Sequence, residues 1–322
     1  MKTLLKLVGG VVLLVVVLGL GAFMWASSKA SSMLAATFES HRLEVAQPYP
    51  LSAGELAAAP KDADISALTL GRALERGKHL VEARYGCTGC HGDNFGGGEM
   101  INDGAVGTIL GPNITAGKGG RTANYTMADW DRIVRHGIKP DGHPAFMPSE
   151  DFLLMSDQEL SDVVTYIRSR PTVDATVAAP TFGPIGKVLA AVGKFPLSAQ
   201  NIANHNAAHE ALPPPAEETV AFGRHLAGIC TGCHRPDLSG GPISFGPPSW
   251  PVAPNLTPHE TGLKSWTFED FDKTLMTGMR KSGAVVRDPM VLIIPFTSKT
   301  TVTERKALWK YLQSTTPQPI GK

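Results

Sequence analysis

Cysteine is scarce, with four residues in a chain of 322. That is too few for the disulfide-dense scaffolds of small secreted domains. Charge of one sign is not in excess either. Lys plus Arg total 30 against 29 for Asp plus Glu, a formal net charge of +1, which excludes the basic excess of a nucleic-acid binder. Charged residues as a class stand at 18%, below the roughly 25% of ordinary soluble domains. Glycine and proline are plentiful, at 34 and 25 residues, so loops make up much of the chain. The length accommodates about two domains of roughly 150 residues.

One block supplies a good part of the 43% hydrophobic content. Residues 7–26 are uncharged and rich in Val, Leu and Gly. They match the roughly 20 residues of a bilayer crossing and exceed the 7–15 of a secretory signal. Lys2 and Lys6 precede the block and favour a cytoplasmic N-terminus. The expectation is a single-pass anchor in a bacterial inner (cytoplasmic) membrane, with the rest of the chain on the periplasmic side. Cleavage near Ala26-Ser27-Ser28 is the alternative. No Cys follows the block, so a lipid-modified terminus is not expected. The predicted organisation is an anchor over residues 1–28, a spacer over 29–66, a first domain over 67–171, a Pro/Ala-rich linker over 172–215 and a second domain over 216–322. Pro48, Pro50 and Pro60 point to an extended spacer, and the linker has room for a short helix near residues 187–192.

All four cysteines fall in two identical packages, Cys87-Thr88-Gly89-Cys90-His91 and Cys230-Thr231-Gly232-Cys233-His234. C-x-x-C-H is the attachment pattern of haem c. Two thiols separated by two residues reach the two vinyl groups on one edge of the macrocycle, and the adjacent His turns its imidazole onto the iron. A paired C-x-x-C zinc site wants its pairs roughly 15–20 residues apart, far closer than Cys90 and Cys230. A thioredoxin-like pair or two disulfides would leave His91 and His234 unexplained. The cofactors expected are two covalently bound haems c with their iron.

The packages head an internal repeat. Pro112-Asn113-Ile114-Thr115 returns as Pro254-Asn255-Leu256-Thr257, and Thr126-Met127-Ala128-Asp129-Trp130 returns as Thr267-Phe268-Glu269-Asp270-Phe271. Thr followed three residues later by Asp reads as a capping-box start, and Gly137 and Gly278 read as helix stops. Ser156 with Glu159, and Thr301 with Glu304, open the last helix of each copy. The fold class expected is all-α, two tandem cytochrome c-like domains after an N-terminal transmembrane helix. A second axial ligand of the usual Met type is predicted at Met147, in Ala145-Phe146-Met147-Pro148. Met290 follows His234 by the same number of residues as Met147 follows His91. Counting back from the last helix instead places Leu292 opposite Met147, and Met290 precedes Val291 rather than Pro. The predicted iron ligands are thus His91, Met147, His234 and Met290, with Met276, Met279, Met100 and Met155 as weaker candidates.

These residues resemble the membrane-anchored dihaem c-type cytochromes, including the cytochrome c subunits that take electrons from periplasmic dehydrogenases. The likeness covers about residues 71–170 and 223–313. It rests on the two C-x-x-C-H sites, the two Pro-Asn-x-Thr segments, Arg135-His136-Gly137 with Asp141-Gly142, and Met147-Pro148 before Ser156-Asp157. It implies a relay of single electrons between a dehydrogenase donor and a membrane oxidase or other cytochrome, and Met290-Val291 departs from it. The alternative is a peroxidase-like dihaem oxidoreductase with an open position on the second iron; no catalytic residue is assigned. Asn113, Thr115, Asn255 and Thr257 are candidates for propionate contacts or for ordering the ligand loop, against plain turn chemistry. Tyr125, Trp130, Arg121 and Trp266 are candidates for packing on the haem or contacting propionates, with core packing the favoured account of Trp130. His205 and His209, spaced like a metal pair, lack a third ligand nearby in sequence and read as an exposed surface pair. His136, His143, His79, His225 and His259 read as surface or propionate-facing residues.

Overall fold

Capping residues readable in the sequence account for the frame of the structure, a computed structural model that describes residues 1–195, 197–243 and 250–321. The expected second domain thus includes residues 244–249 and 322, which lie outside the described residues. Helix α1 is Lys2–Ala35 and α2 is Ala53–Ala58. In the first half α3, Ile65–His79, is capped by the Asp64 side chain and runs on into a π turn over Leu80–Arg84. Helix α4, Thr88–His91, is a single turn. Strands β1, Gly98–Asp103, and β2, Gly107–Gly111, form an antiparallel hairpin. Helix α5, Met127–His136, starts in the Thr126/Asp129 capping box and stops at Gly137 with φ 66°. Helix α6, Asp157–Ser169, starts in the Ser156/Glu159 box.

The connecting segment contributes β3, Thr181–Phe182, which adds antiparallel to β2, then α7, Pro184–Ala191, and α8, Ser198–Asn201. In the second half α9 is Val220–Leu226, α10 is Thr231–His234, and α11 is Phe268–Thr277, boxed by Thr267/Asp270 and ended by Gly278 at φ 72°. Helices α12, Ile294–Thr297, and α13, Val302–Ser314, boxed by Thr301/Glu304, complete it.

The protein is mostly helical, but the three-stranded sheet corrects the all-α expectation. The hairpin turns at Asp103, whose carboxylate accepts from the N–H groups of Ala105 and Val106 at 2.8 Å each, an Asx turn. The spacer also differs from the extended reading. Helix α1 carries on to Ala35, and its most apolar stretch has nothing packed on it. Farther along, Ala26 and Ala30 are buried where α7 packs on α1. The connecting segment therefore returns to the anchor helix, with Lys187 Nζ 5.7 Å from the centre of the Phe23 ring.

Each half is built on a crossing of its first and last helices. At Gly77 a Cβ would fall 2.1 Å from the Asp162 carbonyl oxygen of α6, and at Gly223 one would fall 2.0 Å from that of Ala307 in α13. Only glycine allows backbones so close. The core of the first half joins Leu80, Val81, Phe95, Trp130, Leu160, Val164 and their neighbours. That of the second centres on Leu238, Leu263, Phe271, Leu275 and Leu312.

The halves meet through a reciprocal set of charges. His79 Nε2 lies 2.9 Å from both Glu304 carboxylate oxygens, and His225 Nε2 lies 2.9 Å from Glu159 Oε1. Arg84 is added to one side only, donating to Glu159 and, at 2.8 Å, to Glu304. His79 and His225 are thus interface residues, not the surface or propionate-facing groups expected. Both glutamates double as the N3 member of a capping box.

Candidate functional site

The two Cys-x-x-Cys-His segments fold alike. Cys87 opens the turn of α4, and His91 N–H donates to the Cys87 carbonyl at 3.0 Å. His91 Nδ1 donates to Pro112 O at 2.9 Å, and His234 Nδ1 donates to Pro254 O at 2.8 Å. A carbonyl only accepts, so it fixes the tautomer and leaves Nε2 of each imidazole with its lone pair, the form a metal ligand needs. Burial lowers the pKa of both imidazoles against the opposing pull of these bonds.

The carbonyls that orient the imidazoles are themselves held by Pro-Asn-x-Thr. Asn113 Oδ1 accepts from Thr115 N–H at 2.9 Å and Oγ1–H at 2.8 Å, while its Nδ2 donates to Val173 O at 2.7 Å and Ala175 O at 3.1 Å. Asn255 repeats this with Thr257, at 2.8 Å for both bonds, and donates to Gln318 O at 2.6 Å. These side chains are engaged in ordering the loop that carries Pro112 or Pro254, the loop-ordering role among those expected of them. Two buried residues with left-handed backbones also recur, Phe95 and Leu238, each at φ 60°. Strain of this kind, worth about 1–3 kcal/mol, gave no signal in residue type.

All four thiols are unbridged. Burial, with Cys90 next, pushes Cys87 up to about 12, and burial raises Cys90. Burial, then Asp151 and Cys233, pushes Cys230 to about 12, and burial with Asp151 pushes Cys233 to about 11. The thiols are therefore protonated and weak nucleophiles at neutral pH. Met147 packs against the first core beside Cys87, and Met290 against the second beside Cys230. Leu292, the competing position, points into solvent at 63% exposure. Met276 and Met100 are exposed, Met279 is half-buried next to the α11 stop, and Met155 is buried in the first core. Tyr125 and Trp266 pack on the first and second cores, and Arg121 is exposed. Trp130 is a core residue, yet its buried Nε1–H has no acceptor among the described residues. An unpartnered donor, two free thiols and a pre-set imidazole lone pair together fit a haem with its polar edge groups.

The two segments are also neighbours. Phe296 of the second half covers Gly86 and Gly89, where a Cβ would sit 3.2 and 3.0 Å from its ring. In return Leu154 covers Gly228, and a Cβ on Gly232 would sit 2.6 Å from Asp151 Oδ1. Phe296 and Asp151 stand at the same distance before the last-helix caps Thr301 and Ser156. Burial, with Glu150 next, raises Asp151 to about 7 against the Gly232 N–H bond.

The remaining histidines separate. His259 is on the surface, bonded to Thr261, and His143 Nδ1 donates to Ala36 O at 3.2 Å. His136, expected at the surface, is completely buried. His205 and His209 correct the exposed-pair expectation. They are half-buried against His136, with His41 and Asp131 alongside. Sequence spacing could not show this, because the third and fourth partners come from distant segments.

Residues 74–171 match the cytochrome c family. The chain is 30% identical over 311 residues to the cytochrome c subunit of alcohol dehydrogenase (quinone) from Gluconacetobacter polyoxogenes, covering 87% of this chain and 63% of that relative. It therefore spans less than two thirds of that subunit's length. It is 28% identical over 233 residues to the fructose dehydrogenase cytochrome subunit of Gluconobacter japonicus, covering 64% of this chain and 45% of the relative. Over 271 residues it is 26% identical to a dihaem cytochrome c-type protein of Cereibacter sphaeroides, covering 74% of this chain and 84% of the relative.

Proposed function

We propose that this c-type cytochrome carries two covalent haems c and relays single electrons between a dehydrogenase donor and a membrane oxidase or another cytochrome. Residues 216–322 are read as a second cytochrome c domain. The support is recurrence: the helix crossing at Gly223, the His234–Pro254 bond, the Asn255/Thr257 clamp and the buried left-handed Leu238. Cys87 and Cys90 would hold the first haem through thioethers, with His91 and Met147 on its iron. Cys230, Cys233, His234 and Met290 would do the same for the second. A haem bound in this way supplies a one-electron iron couple, whose potential a methionine ligand raises. The protein's part is to bury the site, to fix each imidazole through Pro112 or Pro254, and to hold the halves together.

The observation that carries this reading is the mutual covering of the two attachment segments by Phe296 on one side and Asp151 with Leu154 on the other. Packed side chains, and not the long linker, separate the two sites. Helix α1 would anchor the chain in the inner membrane with the haem domains on the periplasmic side. That raises their local concentration near membrane partners. The names of the relatives support a dehydrogenase as donor.

A redox-titrated absorption spectrum of the purified chain, with haem counted per polypeptide, tests the reading. Two low-spin haems, each with a Met-to-iron charge-transfer band, are expected. A single haem, or a high-spin fraction that binds carbon monoxide quickly, would overturn it. Met290→Ala should turn the second haem high-spin while Leu292→Ala leaves the spectrum intact.

A further inference from the structure

Five polar side chains from separate parts of the chain converge at the C-terminal end of α5: His41 of the spacer, Asp131 and His136 of α5, and His205 and His209 of the linker. Their hydrogen bonds dictate their tautomers. His205 Nε2–H donates to Ala199 O at 3.0 Å, so its Nδ1 carries a lone pair. That lone pair accepts from His136 Nδ1–H at 3.4 Å, which leaves His136 Nε2 with a lone pair in turn. On the other side His209 Nδ1–H donates to Leu153 O at 3.2 Å, which strips the hydrogen from His209 Nε2. The two bare nitrogens then face each other at 3.1 Å. Neutral imidazoles cannot bond in that arrangement, because both groups are acceptors. A cation between them resolves it.

Two more donors point to the same place. His41 Nε2 and Asp131 Oδ2 are 3.2 Å apart, and one ligand atom from each of His41, Asp131, His136 and His209 lies within 4.8 Å of all the others. Tetrahedral zinc with bonds of about 2.0–2.1 Å has ligand-to-ligand edges of about 3.3 Å, close to the 3.1 and 3.2 Å found here. The outer groups are in place as well. Arg135 Nε donates to the second Asp131 oxygen at 2.6 Å, and Leu153 O and His205 orient the rings through the nitrogen that faces away from the ion, as the partners of metal-bound histidines do. Asp131 and His136 are fully buried, while His41 and His209 are part-exposed and give an ion a way in.

We propose that His41, Asp131, His136 and His209 form a closed site for a divalent cation of the zinc class. Three imidazoles and one carboxylate suit a borderline ion of tetrahedral preference, and four protein ligands without an open position make the site structural rather than catalytic. It goes beyond the electron-relay reading and stands apart from it, because none of its ligands belongs to either attachment segment. Its effect is mechanical. The ion ties the chain leaving α1 and the linker leading to the second half to the same helix of the first.

The test uses the full haem-loaded chain, dialysed against micromolar zinc and then against metal-free buffer, with metals counted by mass spectrometry. One zinc per chain beside the iron is expected. No retained zinc overturns the proposal and leaves a proton shared between His136 and His209 as the resolution. His209→Ala and His41→Ala should each weaken zinc binding by more than ~100-fold, and His205→Ala, which only orients the His136 ring, by ~10–100-fold. Unchanged haem spectra report that these variants are folded, and His259→Ala should retain zinc fully. Retention in both His209→Ala and His41→Ala would overturn the assignment. X-ray absorption at the zinc edge should give three nitrogens and one oxygen at about 2.0–2.1 Å, and a shell dominated by water would equally sink it.

Discussion

The two halves share a plan but not a build. The first has a broad core, a π turn carrying Arg84, the β1–β2 hairpin and a linker that packs back on it. Among the described residues the second has a smaller core divided between two clusters and leaves Val285, Val291, Leu292 and Ile293 exposed around Met290. The difference separates what the site needs from what stability needs. Everything that orients the imidazole recurs, from the Asn-Thr clamp to the left-handed residue. What is additional in the first half is apolar burial and the cation at the interface. The second half is therefore expected to depend more on the haem proposed for it and on its neighbour.

Removing the thiols should expose this most clearly. Cys230→Ala with Cys233→Ala should abolish the proposed second haem and unfold that half, seen as lost hydrogen-exchange protection over residues 216–322. Cys87→Ala with Cys90→Ala should abolish the first haem yet leave its larger core collapsed and partly protected in hydrogen exchange. Equal loss of protection in both would erase the distinction. Next in size is Arg84→Ala, which leaves Glu159 and Glu304 buried without their shared cation. Breaking a buried pair costs about 3–5 kcal/mol, so calorimetry should resolve two transitions, against one expected for the parent chain.

Helix crossings allow a matched comparison. Gly77→Ala and Gly223→Ala each drive a methyl into a carbonyl at about 2 Å, and overpacking of this kind costs about 1–3 kcal/mol. Chemical denaturation should show the larger fall in stability for Gly223→Ala, because the second core has less to relax into. The smallest effect concerns pH. Burial alone would raise Glu304, but His79 and Arg84 outweigh it and hold the carboxyl at about 2, against an ordinary 4.5. The folded value is the lower one, so the unfolded chain binds the extra proton between these limits. The contribution is complete above pH 4.5 and disappears as pH falls towards 2. Glu304→Gln should flatten the acid limb of a melting-temperature series, and an unchanged limb would show that other carboxylates govern it.

Local chemistry was legible in the sequence, and long-range chemistry was not. Four of the five capping boxes and the two αL stops stand where Thr126, Ser156, Thr267, Thr301, Gly137 and Gly278 mark them, because each needs only residues three or four apart. The repeat brought Pro112 and Pro254 into view, although the bonds to His91 and His234 emerged only with the fold. The hairpin was missed: its signal was the single turn at Asp103-Gly104, with no period-two alternation in β1. His79, His225 and the cluster around His136 were misjudged for one reason. Their partners lie on elements that only tertiary packing brings near, and a histidine's role is set by what faces it.

The reciprocity of His79 with Glu304 and His225 with Glu159 has a historical reading. A contact that pairs position i of one unit with j of the other, and j with i, is what two copies of a single unit make around a twofold axis. In such a pair the surface precedes the covalent join, and fusing two genes preserves it at no structural cost. Arg84 has no counterpart opposite among the described residues: it stands three residues before Cys87, and Ala227 stands three before Cys230, so the two surfaces are no longer the same there.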